Sequence, residues 1–449
     1  MHSNTKMKLF ADSQLLDQNF LRTDLGRLYQ AIPFEELAQK IPAPRQAQSG
    51  RGCKPWFDIK GGIALQILKH YHNLSDQLLI ERINTDWSMQ MFCGICLGPT
   101  ERIEDKNIVS HWRVYLSNHL DILNLQDVLA KYWKPHMDQT NIGSQDATCY
   151  ESGISYPTDA KLLMSCTQDI FELIEEVRKQ LSLRRSRINF DKYRKVFMGY
   201  QKLRKKSKRK EKKLRKILLR LLLKHLNALR NLQMKYQFTL SKKKQKRLDV
   251  IMKVYEQQHL KAYGGPDTII KDRIVSLSKP YVRPIVRGKE SKPVEFGMKV
   301  NKLVVDGISF MEHWSYDAFN ESTRYREGIY LQRKYFGKCT HHSADAIYAT
   351  NKNRTYATSQ GIQTNFIPKG KQKPEHLDQS QQIRSILNKN RSTVLEGSFG
   401  NEKNHYMLNK SRARTDMTEI GWVFFGMMTC NASIISKRIA QKERRRQAA

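Results

Sequence analysis

Three acidic residues of this sequence stand beside apolar or small residues, where a fold can hold carboxylates in a defined geometry. Asp146 lies in the segment QDAT, Asp345 in SADAIY and Glu396 in VLEGSFG. Carboxylate oxygens are the ligands that hard divalent cations prefer. Two such cations about 3.5–4 Å apart favour phosphoryl transfer, because one activates the attacking oxygen while the other stabilises the leaving oxygen. The residue types therefore indicate metal-dependent chemistry at phosphate.

Such a site needs elements that bring three distant acids together. We expect Asp146 and Asp345 to end two adjacent strands and Glu396 to lie on a helix beside them. The spacing alone leaves an alternative open, because acids beside strands often cap helices or pair with arginine.

Several other polar residues are weaker candidates. Asp306, in the segment VDG, is an alternative second metal ligand. Asp159 is expected to fix the turn after Pro157, and His342 is expected to form a surface pair with His341 rather than to reach a metal. The remaining candidates are Glu151, Glu312 and Glu402.

The hydrophobic pattern around these acids is mixed. It predicts strands at residues 296–310, 339–344 and 361–367, helices at 160–179 and 321–334, and a largely helical final stretch of roughly 60 residues. Residues 140–175 and 294–437 are expected to form one α/β domain that a basic helical insertion splits. Residues 420–435 are the longest apolar stretch, but they are too few and too polar to span a bilayer. We expect them to form a buried helix.

The composition indicates a folded protein with a polyanionic partner. The chain has 449 residues, of which 39% are hydrophobic, so a wholly disordered or fibrous protein is excluded and two or three domains are expected. It carries 79 Lys and Arg against 43 Asp and Glu, a net charge of +36. The simplest partner for this charge is nucleic acid.

The positive charge is densest between residues 178 and 224. This stretch holds 21 Lys or Arg and only two acids. Leu219, Leu222, Leu226 and Leu229 recur at alternating spacings of three and four, which predicts a long basic amphipathic helix or a helical hairpin. We expect it to contact DNA or RNA, and a solvated surface is the alternative.

The N-terminal part of the chain has a helical pattern. Ser75 is a predicted cap of a helix that runs to Ile83, and Pro and Gly residues at 42–52 mark a flexible connection. Cys93 and Cys96 form a CxxC, but no second pair or matching histidines follow, so buried thiols are expected rather than zinc. The scattered cysteines and the absence of a secretory signal favour the cytoplasm.

The three acidic segments, together with ISYPTD at residues 154–159, resemble those of bacterial insertion-sequence transposases of the DDE class. The resemblance covers most of the chain, because residues 60–113 look like the family's N-terminal transposase domain and 279–299 like the entry to its catalytic domain. It implies an RNase H-like core in which Asp146, Asp345 and Glu396 are the catalytic residues and hold two Mg²⁺ ions, or Mn²⁺.

The family often carries a Tyr, Arg, Glu and Lys signature on the helix of the third acid. Glu396 and Lys403 match the last pair of this signature. At the positions of the first pair stand Lys389 and Ser392, and Arg391 is shifted by one residue. This departure predicts a rearranged or weakened contact with the transposon end.

The resemblance implies five segments with separate roles. They are a helical DNA-binding domain at residues 1–135, the first part of the RNase H-like domain at 136–175, the basic helical insertion at 176–293, the second part of the core at 294–437 and a basic tail at 438–449. The tail is expected to be disordered or to touch DNA nonspecifically.

The expected activity is transposition of the protein's own insertion sequence. Water would attack the phosphodiester at the element end, and the freed 3′ hydroxyl would then attack target DNA. Two protomers would pair the two ends, in the cytoplasm of a bacterium and associated with its nucleoid. The residues expected to contact DNA are Lys403, Arg391, Lys389, Lys205, Lys206, Arg209 and Lys212.

Two alternatives remain open at this point. A noncatalytic nucleic-acid-binding protein, or an inactivated transposase, would need only the charge, and its acids would be structural. A structure-selective nuclease would share the metals but would not join ends to a target.

Overall fold

The computed structural model describes residues 13–44, 55–265, 268–286, 293–370 and 374–448. Residues 45–52 of the connection predicted at 42–52 therefore lie outside the described part. The chain is a mixed α/β protein with two compact units. The first unit contains the chain up to Gly153 and from Met298 onward, and the second unit is Ile154–Gly297.

The described residues of the first unit begin with eight helices, most of which start at a side-chain cap. The predicted cap is confirmed, because the Ser75 hydroxyl accepts the backbone N–H of Leu78 at the start of α5, and Asp58 and Asp121 cap α4 and α8 in the same way. The helices are α1 (Ser13–Arg22), α2 (Asp24–Gln30), α3 (Phe34–Gln39), α4 (Ile59–His72), α5 (Asp76–Ile83), α6 (Trp87–Phe92), α7 (Ile108–His119) and α8 (Ile122–Trp133).

A mixed sheet follows these helices. In the described residues its strands are β1 (Ile142–Ser152), β3 (Val294–Val305), β4 (Ile308–Ser315), β5 (His341–Ala344), β6 (Gln363–Thr364) and β7 (Lys410–Ser411), while β2 (Pro284–Val286) pairs with the first residues of β3 inside the second unit. β1 is parallel to β5, and β5 is parallel to β6. β3 lies on the other side of β1 and pairs antiparallel with β4.

The strand predicted at residues 296–310 is wrong in one respect, because it is a hairpin of two strands. Asp306 and Gly307 both have a positive φ, 50° and 78°, and form the two-residue turn between β3 and β4. This combination suits a tight hairpin because Asp and Gly tolerate the left-handed region. The segments predicted at 339–344 and 361–367 contain the shorter strands β5 and β6.

The helices after the sheet include a short 3-10 helix, Glu321–Arg324, followed by α13 (Tyr325–Phe336), which together match the helix predicted at 321–334. Next come α14 (Asn351–Ser359) and α15 (Pro374–Asn390). A π-helical segment, Arg391–Leu395, joins α15 to α16 (Glu396–His405), and α17 (Asp416–Ala448) ends the chain.

Helix α17 holds the first unit together. The predicted buried helix at residues 420–435 is confirmed, because Trp422, Phe425 and Met428 are each about 2% exposed. α17 packs against α2, α4, α7 and β4, and its apolar residues join those of the N-terminal helices and of the sheet in one continuous core. The N-terminal helices thus share a core with the sheet instead of forming a compact unit of their own. Among the described helices, none is long and apolar enough to cross a membrane.

The second unit is a helical bundle with α9 (Asp159–Gln180), α10 (Phe190–Lys202), α11 (Lys208–Tyr236) and α12 (Lys242–Tyr263). The predicted basic amphipathic helix is confirmed in α11, where Leu219, Leu222 and Leu229 are buried. This compact unit begins at Ile154 and includes α9, because the apolar face of α9 packs against α11.

Candidate active site

The pairing of two parallel strands places Asp146 beside Asp345. β1 and β5 are in register from Ile142 opposite His341 to Gln145 opposite Ala344. Asp146 follows Gln145 in β1, and Asp345 comes directly after the end of β5. Both carboxylates therefore follow the last paired residues of two adjacent parallel strands. Asp146 was expected to end its strand, but β1 continues beyond it to Ser152.

One face of β1 carries the contacts that place the third acid. Alternate residues of a strand point to the same side, and Asp146, Thr148 and Tyr150 follow this rule. Asp146 faces Arg391 just before α16, the Thr148 hydroxyl accepts a hydrogen bond from Lys403 Nζ at 2.9 Å, and the Tyr150 hydroxyl donates to Glu402. Arg391 precedes α16, and Glu402 and Lys403 lie near its end, so these contacts hold both ends of α16 over this face.

The guanidinium of Arg391 lies among all three predicted carboxylates. Its Nη1 is 3.5 Å from Oδ2 of Asp146, and its Nη2 is 4.0 Å from Oδ1 of Asp345 and 3.5 Å from Oε1 of Glu396. The structure therefore brings together the three acids that the sequence motifs singled out, around one positive charge. Sequence reasoning assigned Arg391 to DNA contact and missed this position.

The π-helical segment explains how Arg391 reaches Glu396. The N–H of Glu396 donates to the carbonyl of Arg391, five residues earlier, whereas an α-helix would use the fourth. One turn of this segment therefore aligns residues that are five apart. The wider turn returns Arg391 to the face of Glu396 despite the one-residue shift. The extra residue between the two was the available signal in the sequence.

The three carboxylates differ in exposure. The Asp146 side chain is 19% exposed, whereas those of Asp345 and Glu396 are 51% and 53% exposed. Burial raises the pKa of Asp146 to about 6, although a hydrogen bond from the backbone N–H of Ala147 lowers it. The negative charges of Glu321 and Asp345 also raise this pKa, whereas the positive charge of Arg391 lowers it. An acid whose pKa is raised by burial, and further by neighbouring acids, is common at functional sites.

Replacing Asp146 with Asn should stabilise the metal-free protein at neutral pH. Between about pH 4 and 6 an unfolded chain, with an Asp pKa of about 3.9, has lost the proton that the folded Asp146 retains. The free energy of unfolding of the wild type therefore falls as pH rises through this window and stays lower above it. The shift corresponds to at most about 3 kcal/mol. In urea unfolding with EDTA, the free energy of unfolding of Asp146→Asn should increase relative to that of the wild type from pH 4 to pH 7. A difference between the two that does not change with pH would contradict this account.

A buried ion pair anchors α16 at the position that aligns Glu396. Lys302 of β3 and Glu402 are both 0% exposed, and Lys302 Nζ lies 2.9 Å from Oε1 of Glu402. The Ser309 hydroxyl donates to the same oxygen at 2.8 Å, and Lys302 also donates to the Ser398 hydroxyl at 2.7 Å. Glu402 was the weaker candidate for chemistry, and its burial in the core places it away from the three carboxylates.

The other weak candidates have structural partners. Asp306 binds Arg438 at 2.8 Å and accepts the N–H of Asp138, so it fastens the hairpin turn. Asp159 does more than fix a turn, because Lys261, Arg273 and Arg215 all lie within 3.4 Å of its carboxylate inside the second unit.

The other weak candidates are Glu312, His342 and Glu151, and they belong to the fold around the site. Glu312 is paired with Arg324 and accepts from Asn301 at 2.6 Å. The expected surface pair of histidines is wrong for His342, which is fully buried against Gln145. Glu151 lies opposite Lys410 where β1 pairs with β7.

The predicted DNA contacts lie in two separate places. Lys403 and Arg391 belong to the carboxylate site, and Lys389 is exposed at the end of α15. The others are exposed in the second unit, on the loop before α11 and in its first turns: Lys205, Lys206, Arg209 and Lys212. Cys93 is buried and Cys96 is half-buried.

No group of three or more His, Cys, Asp or Glu side chains in the described part of the chain is arranged to hold a metal ion as it stands. At the carboxylate site the guanidinium of Arg391 lies within 4.0 Å of all three carboxylates. A cation of another kind would have to replace it.

Comparison with known families gives one match. Residues 13–114 match the family model described as Transposase domain (DUF772), from the start of α1 into α7. This match covers less than a quarter of the chain, and the three carboxylates lie outside it. No curated protein and no solved structure matches the chain significantly. The matched segment indicates a transposase.

Proposed function

We propose that this protein is a metal-dependent DNA transposase of the DDE class, which cleaves the ends of its own insertion sequence and joins them to target DNA. The observation that carries the proposal is the convergence of Asp146, Asp345 and Glu396 on one guanidinium, in a chain whose N-terminal helices match a transposase domain. Two adjacent parallel strands and a helix supply the acids, which is consistent with an RNase H-like core.

The donor set fits divalent cations. Three carboxylates with a partly buried member already hold a positive charge, and hard ions such as Mg²⁺ or Mn²⁺ take oxygen ligands. Asp146, Asp345 and Glu396 would hold two ions. When bound, these ions activate the attacking oxygen and stabilise the leaving oxygen at the phosphate.

The remaining residues of the site position the substrate. Lys403 lies on the Asp146 side of β1, 2.9 Å from the Thr148 hydroxyl and 5.6 Å from the centre of the Tyr150 ring. Its ammonium group is therefore held near the acids, where it would bind a DNA phosphate. Arg391 would release the carboxylates and bind a second phosphate, since its guanidinium suits phosphate oxygens as well as carboxylates.

Replacing Arg391 with Gln should strengthen metal binding, because the guanidinium and a divalent cation compete for the same three carboxylates. We expect Mn²⁺ to bind on the order of tenfold more tightly, which corresponds to about 1.4 kcal/mol. Isothermal titration without DNA measures this directly. Arg384→Gln, on the preceding helix α15, is the matched control. Equal Mn²⁺ affinity in wild type and Arg391→Gln would show that the guanidinium does not block the site.

The second unit would bind DNA through its exposed cations. Arg209 stands in the first turn of α11, where the positive end of the helix dipole disfavours a cation. Lys205 and Lys206 precede the same helix and are also exposed. The helix disfavours a positive charge at this end, so an anionic partner such as the DNA backbone would explain it. An assembly of two protomers on paired DNA ends, in the bacterial cytoplasm and on the nucleoid, completes the proposal.

The test is incubation of the purified protein with a plasmid that carries the DNA flanking its gene, in Mg²⁺ or in EDTA. Breaks mapped to the ends of flanking inverted repeats, followed by joining to a second plasmid, would support the proposal. Breaks without joining would indicate a structure-selective nuclease. Binding without breaks, with Mn²⁺ also supplied, would favour a noncatalytic nucleic-acid-binding protein.

A further inference from the structure

A cleft of about 340 Å³ opens between α2, the end of α4 and the C-terminal half of α17, all in the first unit. This volume falls within the range of about 300–1,000 Å³ that is typical of small-ligand sites. It is large enough for a nucleotide-sized group and too small to enclose a duplex. The segment expected to be a disordered basic tail forms one wall, because α17 continues as a helix to Ala448.

The walls of the cleft are positively charged. Arg27, Lys437 and Arg444 line it, and Asp24 is the acid among the lining residues. Asp24 is paired with Arg27 one turn along α2, so two positive charges are left over. The dipole of α17 explains a cation only in its last turn. Lys437 lies well before that turn, and its side chain is exposed.

Two tyrosines give the same cleft aromatic surfaces. Tyr71, near the end of α4, and Tyr406, just after α16, both line it and are both half-buried. The Tyr406 carbonyl contacts Nδ1 of His70 at 2.9 Å, which fixes this residue against α4. A cleft that combines cations with half-buried aromatic rings suits a group that has both a phosphate and a planar ring.

The cleft and the carboxylates lie at opposite ends of α16. Glu396 begins this helix and Tyr406 follows it, so at 1.5 Å per residue they are separated by about 15 Å along the axis. A ligand in the cleft is therefore distinct from the group at the carboxylates.

We propose that this cleft binds one nucleotide of a single DNA strand, with its base against Tyr71 and its phosphate at Lys437 and Arg444. The proposal rests on DNA being the partner, as in the proposed function, and it adds a strand-binding site away from the carboxylates. Stacking of a base on an aromatic side chain and neutralisation of a phosphate are the two contributions that bind single strands without regard to sequence.

The experiment measures binding of a short fluorescent single strand by anisotropy in EDTA, where no metal-dependent cleavage can occur. Arg444→Gln should weaken binding several-fold. Arg445→Gln is the matched control, because it removes the same charge from the adjacent, exposed position of α17 that does not line the cleft. If both variants lost the same affinity for the strand, the effect would be general electrostatic attraction, and the proposed site would be wrong.

A second comparison tests the aromatic contact. Tyr71→Leu should weaken binding of the normal strand by about tenfold and leave binding of a strand of the same length with abasic sites unchanged. Equal losses for both strands, or none, would overturn the proposed stacking. Inorganic phosphate that competes as well as the strand at equal phosphate concentration would show that the cleft takes free phosphate instead. Because no arm requires catalysis, these outcomes do not depend on whether the protein cleaves DNA.

Discussion

Glu396→Gln is expected to lower Mg²⁺-dependent cleavage of the element ends by on the order of 10³-fold or more while leaving DNA binding and stability almost unchanged. Its carboxylate is 53% exposed and contacts Arg391, so the amide disturbs little of the core. Bound ions contribute several kcal/mol of stabilisation to the developing charge. Since each 1.36 kcal/mol is a factor of ten in rate, the loss of one ligand accounts for a change of this size.

The measurement is single-turnover cleavage of a labelled end substrate, with DNA affinity determined in parallel. Asp146→Asn and Asp345→Asn should be similarly inactive, and the combined variant should be little worse, because residues that act as a unit are not additive. Glu327→Gln, an exposed glutamate of α13, is the control for the chemical change. If Glu396→Gln retained a tenth of the wild-type rate, the assignment of this residue as a metal ligand would be wrong.

Glu402→Gln is expected to destabilise the fold by about 3–5 kcal/mol, because it leaves the buried ammonium of Lys302 without its counter-charge. Both side chains are 0% exposed, and the hydroxyls of Tyr150 and Ser309 also donate to this carboxylate. A neutral amide cannot accept all of these donors while balancing a charge. A loss of this size is a large part of the 5–15 kcal/mol that typical domains have, so urea unfolding should shift strongly.

A double variant separates the ion pair from simple packing. Lys302→Met with Glu402→Leu removes both charges and should recover much of the loss, because well-packed apolar residues often replace a buried pair without penalty. Glu443→Gln, exposed near the end of α17, is the surface control and should change stability by less than about 0.5 kcal/mol. A loss below about 1 kcal/mol for Glu402→Gln would mean that the pair does not anchor α16.

Glu396 and Glu402 show how far a motif can be interpreted without a structure. They are six residues apart on one short helix, and both belong to segments that could be assigned to chemistry. The family resemblance favoured Glu396, and helical geometry indicated that Glu402 faces elsewhere. The sequence did not indicate where it faces, because the partner of Glu402 is Lys302, a lysine that sequence statistics place on the surface.

Arg391 shows the opposite case. Its one-residue shift from the family pattern would turn it away from Glu396 in an ideal α-helix. The π-helical turn returns it to the face of Glu396. Such a turn depends on how α15 and α16 pack on the sheet, so local propensity does not predict it.

The sequence by itself determined the properties that depend on residue type and local spacing. These are the net charge that calls for a polyanion, the capped start of α5, the apolar stretch of α17 and the three acids able to hold hard cations. The tertiary structure decided which residues meet: Asp146 beside Asp345 through strand register, Arg391 among three carboxylates, and Lys302 buried against Glu402. The contact of Arg391 with Asp146 joins residues 245 apart and that of Lys302 with Glu402 joins residues 100 apart. The energies of such contacts arise from burial and pairing that exist only once the strands and helices have packed.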